Sequence, residues 1–235
     1  MSDKGTAYGV GVGPGDPELM TLKAVRIIRS CAVVAVPGDV VAQSLAYQIA
    51  VAAVPDLSAK CLVALPSPMM RDRAAVEYQH VQNAHLLETY LRDGKDVAYL
   101  TLGDPCVYST FTYLQKALEA DGVHVELVSG VPSFCAAAAR LGMPLSIGDE
   151  ELRVLPTSPA RGELARKGTS VYMKVSSGMP ALKDFLRASG CRAQAVERCG
   201  LDGERVYRSL DEIPDDASYF TLVIARGDSV LRYNP

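Results

Sequence analysis

The sequence lacks the features of a nucleic-acid-binding or membrane-spanning chain. No basic run in its 235 residues exceeds two residues, and the formal net charge is −3. A basic patch or stripe is the usual footprint of a nucleic-acid-binding protein, so we expect no nucleic-acid partner. No uninterrupted apolar stretch is long enough to cross a bilayer, and the first residues lack the apolar segment of a signal peptide. We therefore expect a soluble cytoplasmic protein without membrane contact.

Several catalytic and metal-binding motifs are also missing. The six cysteines include no CxxC pair, and the chain has no HExxH, P-loop or GxSxG sequence. His80 and His85 lie five positions apart on a predicted helix, so they do not share a face as a metal-binding i,i+4 pair would. We expect these two histidines on the surface and no metal held by the protein. Unpaired cysteines of this kind fit a reducing compartment.

The loop after the first predicted strand is rich in glycine but is not a dinucleotide-binding fingerprint. A GxGxxG motif starting at Gly11 would need its last glycine at Asp16, and one starting at Gly9 would need it at Pro14. The loop is either a rigid turn that a ligand can approach closely or an ordinary turn whose glycines and prolines serve only the turn itself.

The first 146 residues alternate between predicted strands and helices, which is typical of a parallel sheet covered by helices on both faces. Apolar runs predict five strands, at 7–12, 31–36, 61–65, 97–100 and 124–128. Apolar periodicity and Gly or Pro stops predict helices starting at Thr21 and spanning 43–54, 71–93, 112–120 and 133–141. We expect Leu22, Val25 and Ile28 on the buried face of the first helix.

The regular alternation of predicted strands and helices ends after Pro144, and residues 147–235 are predicted to form a second, mixed α/β domain. Its predicted strands are 152–155, 171–175, 193–198, 205–209 and 219–225, with one clear helix at 180–188 and a shorter one near Glu163. Gly200 to Gly203 is a hairpin signal between the third and fourth of these strands. The predicted domains are therefore 1–146 and 147–235.

The stretch from Asp96 to Phe111 is the centre of the functional prediction. An apolar strand ends in Gly103-Asp104-Pro105, and a helical pattern follows. Ligands of open α/β sheets bind at the carboxyl ends of the strands, and glycine admits a ligand against the main chain. A binding loop and a plain strand-to-helix turn capped by Asp104 both fit these residues.

The whole chain resembles the tetrapyrrole methylases, enzymes that use S-adenosylmethionine (SAM) to build corrinoids and sirohaem. The resemblance rests on residues 8–24 (YGVGVGPGDPELMTLKA), on Gly103-Asp104-Pro105 after a strand, and on Ser133 at the head of an Ala-rich helix. Within the family, residues 108–111 (YSTF) and 133–138 (SFCAAA) are most similar to the precorrin-2 C20-methyltransferases. Uroporphyrinogen methylases usually carry Gly-Arg where Ser109 and Thr110 stand.

The resemblance implies an active site in the cleft between two α/β domains, with SAM as the cofactor and S-adenosylhomocysteine as its product. Carried over position by position, the implied cofactor-binding residues are Pro14, Leu102, Gly103, Asp104, Val107, Ser133, Met173, Gly200 and Thr221. Met173 and Thr221 also suit an ordinary strand, as a core residue and a strand former. Asp104 and Tyr108 are the candidate catalytic residues, since the methylated carbon must lose a proton to a base or to water.

The implied reaction is methylation of precorrin-2 or cobalt-precorrin-2 at C20, on the route to cobalamin, by a homodimer. Methylation of another tetrapyrrole position and a non-catalytic tetrapyrrole-binding role are the alternatives. The substrate carries many carboxylates, which arginine binds in bidentate fashion. Candidate cations are Arg71, Arg73, Arg140, Arg153 and Lys174, each of which could equally be solvated surface charge.

Overall fold

The computed structural model of the protein describes residues 4–67, 73–156, 168–175 and 178–227. The chain folds as two compact units, Met1–Pro132 and Ser133–Pro235. Arg71 and the helix predicted near Glu163 lie outside the described residues, as does the side chain of Arg73.

The first unit contains a five-stranded parallel sheet, as predicted. Its elements are β1 (Ala7–Gly11), α1 (Leu22–Ser30), β2 (Val33–Pro37), α2 (Leu45–Ala53), β3 (Cys61–Leu65), α3 (Arg73–Arg92), β4 (Val97–Thr101), α4 (Phe111–Ala120) and β5 (Val125–Val128). The strand order is β3-β2-β4-β1-β5, and every pairing is parallel. The central pair, β4 and β1, lies where the order reverses, which is the usual ligand-binding edge of such a sheet.

Helices cover both faces of this sheet, which confirms the predicted architecture. Alternate strand residues such as Ala35 and Tyr99 pack against Leu87 and Leu91 of α3 and Phe111 of α4. The other helices, α1 and α2, contact β1, β2 and β4. Because β2 and β4 are buried on both faces, they read as continuous apolar runs rather than as alternating ones.

The second unit contains a mixed five-stranded sheet, also as predicted. Its elements are α5 (Ser133–Leu141), β6 (Glu151–Pro156), β7 (Gly168–Met173), α6 (Met179–Ala188), β8 (Arg192–Glu197), β9 (Arg205–Tyr207) and β10 (Thr221–Arg226). The order is β6-β7-β10-β8-β9, with β6 parallel to β7 and the other pairs antiparallel. One face packs on α6 and the other on α5. Helix α5 thus shares its core with the second sheet, whereas the alternation of predicted strands and helices groups it with the first domain.

Two predictions about helix faces were wrong. Leu22 is 89% exposed and Val25 is half-buried, whereas Ile28 is buried as predicted and forms the buried face of α1 together with Ala24 and Ile27. Thr21 caps this helix by accepting a hydrogen bond from the Ala24 N–H at 3.1 Å, so Leu22 lies in its first, exposed turn.

The prediction that His80 lies on the surface was also wrong. Its ring is buried and stacks on Tyr113 of α4, with 5.2 Å between ring centroids. The buried face of α3 carries His80 and Asn83 beside Ala84 and Leu87, and these polar members hid the face from a hydrophobic pattern. Burial lowers the pKa of His80, which favours the neutral ring in the core.

Candidate active site

Three loops meet at the carboxyl ends of the neighbouring strands β4, β1 and β5. The Gly103 N–H donates to the Gly13 carbonyl at 2.7 Å, and the Gly13 N–H donates to the Gly103 carbonyl at 3.2 Å. This antiparallel bridge joins the glycine-rich loop after β1 to the Gly-Asp-Pro loop after β4. The two loops singled out in the sequence therefore form one structure at the edge where open α/β sheets bind ligands.

Backbone from the third loop, after β5, closes on the same point. A Cβ atom added at Gly130 would lie 2.1 Å from the Gly103 carbonyl oxygen, and one added at Gly11 would lie 2.5 Å from it. Gly103 itself has a φ of 67°, in the left-handed region that favours glycine. Glycine at these positions lets the backbones of the three loops touch. It also means that these positions place no side chain at this edge of the sheet.

Asp104 connects the loop after β4 to the loop after β5. Its carboxylate is 8% exposed and accepts hydrogen bonds from the Cys106 N–H at 2.7 Å and the Gly130 N–H at 3.0 Å. Each carboxylate oxygen thus has a main-chain donor, which compensates the cost of burying the charge. In this arrangement the carboxylate sets the positions of two loop backbones.

The segment between Pro105 and α4 contains Tyr108. Tyr108 is 44% exposed and has a φ of 48°, an unusual backbone conformation for an aromatic residue. The next residue, Ser109, accepts a hydrogen bond from the Phe111 N–H at 3.1 Å, and its hydroxyl lies 3.0 Å from that of Thr101. Strained backbone of this kind is frequent in ligand-binding segments, and here Ser109 anchors it to both β4 and α4.

The remaining first-unit candidates flank these loops. Pro14, Leu102 and Val107 are each partly exposed. Cys106, in the same loop, is exposed; partial desolvation and the neighbouring Asp104 raise the pKa of its thiol, which disfavours the nucleophilic thiolate.

Three of the second-unit candidates share one end of their sheet. Met173 ends β7 and Thr221 begins β10, two strands that run antiparallel. Thr221 pairs with Glu197 at the end of β8, and Gly200 follows in the hairpin to β9. Met173 is partly exposed, Gly200 is exposed, and Thr221 is buried. Ser133, the fourth candidate, is the first residue of α5.

Glu197 lies beside these candidates and was missed by the sequence reasoning. It is buried, and its carboxylate accepts from the Tyr207 hydroxyl at 2.8 Å and the Ser218 N–H at 3.0 Å. Burial alone would raise the pKa of this carboxyl group, but the hydrogen bonds from Ser218 and Tyr207 hold it below its ordinary value. A glutamate that follows Ala195 and Val196 at the end of a predicted strand, shortly before a glycine hairpin, was the available signal.

The candidate cations of the second unit already have partners. Arg140 forms an ion pair with Glu204, which also accepts from the Gly200 N–H at 2.7 Å. Arg153 pairs with Glu151 at 2.6 Å. The Lys174 ammonium lies over the Tyr219 ring, 5.9 Å from its centroid. Within the described residues, no group of three or more His, Cys, Asp or Glu side chains could hold a metal ion.

The family model of the tetrapyrrole (corrin/porphyrin) methylases matches residues 6–214. The chain belongs to this family. It is 33% identical to the precorrin-2 C(20)-methyltransferase of Sinorhizobium sp over 95% of this chain and 96% of that one. It is 31% identical to the cobalt-precorrin-2 C(20)-methyltransferase of Salmonella typhimurium over 94% and 95% of the two chains.

A solved tetrapyrrole methylase has the same fold. The uroporphyrin-III C-methyl transferase of Thermus thermophilus, complexed with S-adenosylhomocysteine, superimposes with a TM-score of 0.69 at 23% identity, over 94% of this chain and 92% of that chain. The helices in the described part of this chain include none long and apolar enough to cross a membrane.

Proposed function

We propose that this methylase transfers a methyl group from SAM to C20 of precorrin-2 or cobalt-precorrin-2, on the route to cobalamin. The observation that carries the proposal is the match, over nearly the whole of each chain, to the C(20)-methyltransferases of Sinorhizobium and Salmonella. The meeting of the loops after β1, β4 and β5 at the carboxyl edge of the sheet supports this proposal.

The residues of the first unit fit a SAM molecule. A compact, polar and partly charged cofactor needs loop backbone that it can approach closely, and the three loops carry glycine at positions 11, 103 and 130, where they meet. The proposed contacts are Pro14, Leu102, Gly103, Asp104 and Val107 in the first unit and Ser133, Met173, Gly200 and Thr221 in the second. When bound, SAM supplies an electrophilic methyl group on its sulfonium.

The protein's own contribution is positioning and proton transfer. Because the methyl donor is already reactive, holding the substrate carbon in line with it can provide roughly 7–11 kcal/mol of the rate acceleration. The substrate carbon that receives the methyl must also lose its proton. Of the two candidates, Asp104 has both oxygens held by main-chain N–H groups, whereas Tyr108 presents a hydroxyl on a partly exposed ring.

The chain is further proposed to act as a cytoplasmic homodimer without a protein-bound metal. The family resemblance supports the dimer, and cysteines without a CxxC pairing support a reducing compartment. Any cobalt would enter with the substrate, held by its four pyrrole nitrogens.

The decisive experiment is a turnover assay with SAM carrying a 13C-labelled methyl group. The purified protein is incubated separately with precorrin-2 and with cobalt-precorrin-2, and each product is examined by mass spectrometry and 13C NMR. We expect one added methyl group at C20 with at least one of the two substrates. Labelling at another carbon would instead show a different ring specificity. Binding of both macrocycles without methyl transfer would show a tetrapyrrole-binding protein.

A further inference from the structure

The hairpin between β8 and β9 contains a carboxylate that is not among the proposed cofactor contacts but is bonded to one of them. Glu204, just before β9, accepts a hydrogen bond from the Gly200 N–H at 2.7 Å through Oε2. Its other oxygen, Oε1, pairs with the Arg140 guanidinium on α5. The Glu204 side chain is only 15% exposed. This side chain therefore connects the proposed contact Gly200 to helix α5.

The backbone of this hairpin has an unusual conformation that side chains help to hold. Arg198, Gly200 and Gly203 have φ values of 53°, 74° and 80°, all in the left-handed region. The Arg198 Nε donates to the Asp202 carbonyl at 2.7 Å, and the Glu204 carboxylate binds the Gly200 N–H. Because glycine has more backbone freedom than any other residue, a single conformation at Gly200 depends on such bonds.

Helix α5 is the fixed element to which Glu204 attaches the hairpin. Ala137 and Leu141 of this helix are buried against the second sheet. Ser133, another proposed contact, is the first residue of the same helix. The Arg140 side chain is 60% exposed, and ion pairs at exposed positions add little stability. The pair therefore serves to orient the carboxylate of Glu204 more than to stabilise the fold.

We propose that Glu204 is a positioning residue for the cofactor, whose carboxylate, oriented by Arg140, holds the Gly200 backbone in the conformation that contacts SAM. The inference rests on the proposed function, because Gly200 is a contact only if SAM binds there. A loop that is held in place before binding loses less conformational freedom when its ligand arrives. Arg140 then acts through Glu204 and is not one of the cations that hold the substrate carboxylates.

Isothermal titration calorimetry with S-adenosylhomocysteine on the full chain tests the inference. In Glu204→Ala we expect the Kd to rise by about tenfold, as for the loss of a hydrogen bond to a charged group. Glu204→Gln should recover part of this loss, because its amide carbonyl can still accept from the Gly200 N–H. In turnover the KM for SAM should rise in Glu204→Ala while kcat at saturating SAM stays unchanged, the pattern of lost uniform binding.

Glu212→Ala is the matched control. The Glu212 carboxylate also accepts from a main-chain N–H, that of Arg208 at 2.8 Å, and from the Ser209 hydroxyl at 3.0 Å. It lies in a turn that carries no proposed contact. A purely structural role of Glu204 would lower the melting temperature, measured by circular dichroism, and leave the Kd unchanged. We expect Glu212→Ala to keep the wild-type Kd.

The amide signal of Gly200 in 15N NMR spectra gives a readout that needs no variant. We expect S-adenosylhomocysteine to shift this signal in the wild-type protein, and Glu204→Ala to shift it without ligand. A ligand-bound wild-type protein with an unchanged Gly200 signal overturns the inference. So does a wild-type Kd in folded Glu204→Ala, or an equal rise of the Kd in Glu212→Ala. If the wild-type protein does not bind S-adenosylhomocysteine at all, the proposed function fails as well.

Discussion

At the scale of single residues, the candidate site depends on glycines, which have no side chain. Gly11, Gly103 and Gly130 bring three main chains within contact of one another after β1, β4 and β5. Any β carbon at Gly11 or Gly130 would overlap the Gly103 carbonyl, so the loops would have to separate. We propose that main-chain groups of these loops contact the cofactor.

The first prediction concerns Gly130→Ala. We expect the free energy of unfolding to fall by about 1–3 kcal/mol, as for other substitutions that overpack a filled site, and S-adenosylhomocysteine to bind more weakly. Urea denaturation and isothermal titration calorimetry measure the two effects. Gly227→Ala is the control, because a Cβ at Gly227 meets no heavy atom of the described residues within 4 Å. Wild-type affinity in Gly130→Ala would contradict the assignment of these loops to the cofactor.

The second prediction concerns Asp104→Asn. The asparagine amide can accept from only one of the two N–H groups that Asp104 now binds, and its own NH2 would face the other. We expect stability to fall by about 1–3 kcal/mol and the KM for SAM to rise. Asp93→Asn, at an exposed ion pair, is the control. A loss of kcat alone, with unchanged stability and KM, would show instead that Asp104 acts only as the proton acceptor.

At the scale of secondary-structure elements, Glu197 joins parts of the second sheet that are distant in sequence. Its carboxylate connects the end of β8 to Tyr207 of β9 and to Ser218, just before β10. The proposed contacts Gly200 and Thr221 lie on these same elements. A change at Glu197 should therefore alter stability and cofactor binding together, although this residue is not itself among the proposed contacts.

The third prediction is a pH dependence of stability that comes from Glu197. Because the pKa of this carboxyl group is lower in the folded chain than its ordinary value of about 4.3, its ionised form stabilises the fold above that value. This contribution is lost as the pH falls through the folded-state pKa. In Glu197→Gln we expect a loss of about 1–3 kcal/mol at neutral pH, which shrinks as the pH falls below the ordinary value of about 4.3.

Urea denaturation followed by circular dichroism at several pH values measures this difference. Glu119→Gln, on the exposed side of α4, should follow the wild-type curve at every pH. A stability difference between wild type and Glu197→Gln that stays constant down to pH 3 would show that ionisation of Glu197 is not the cause.

At the scale of the whole molecule, the fourth prediction is a homodimer. Most soluble homo-oligomers are closed, two-fold symmetric dimers, and the family resemblance implies one here. Multi-angle light scattering at micromolar concentration should give twice the mass of the chain, with and without S-adenosylhomocysteine. A monomer mass across a dilution series that reaches high micromolar concentration would refute the prediction.

The sequence by itself determined most of the architecture. Buried parallel strands such as β2 and β4 are apolar runs that end at or near Gly or Pro, and their short length favours a strand over a buried helix. The predicted helix at 133–141 matches α5, which Gly142 ends with a φ of 69°. The predicted burial of Leu22 and the predicted exposure of His80 were wrong, because hydrophobicity alone does not decide which face of a helix meets its neighbour.

Only the tertiary structure decided how the site is assembled. Asp104 and Gly130 are 26 positions apart and are joined by one hydrogen bond. No local pattern signals that Gly11 and Gly130 must both admit the Gly103 carbonyl. The buried role of Glu197 likewise depends on strands that meet only in the folded sheet. Local propensities and apolar periodicity act over a few residues, whereas the contacts that build a site depend on which loops the sheet order brings together.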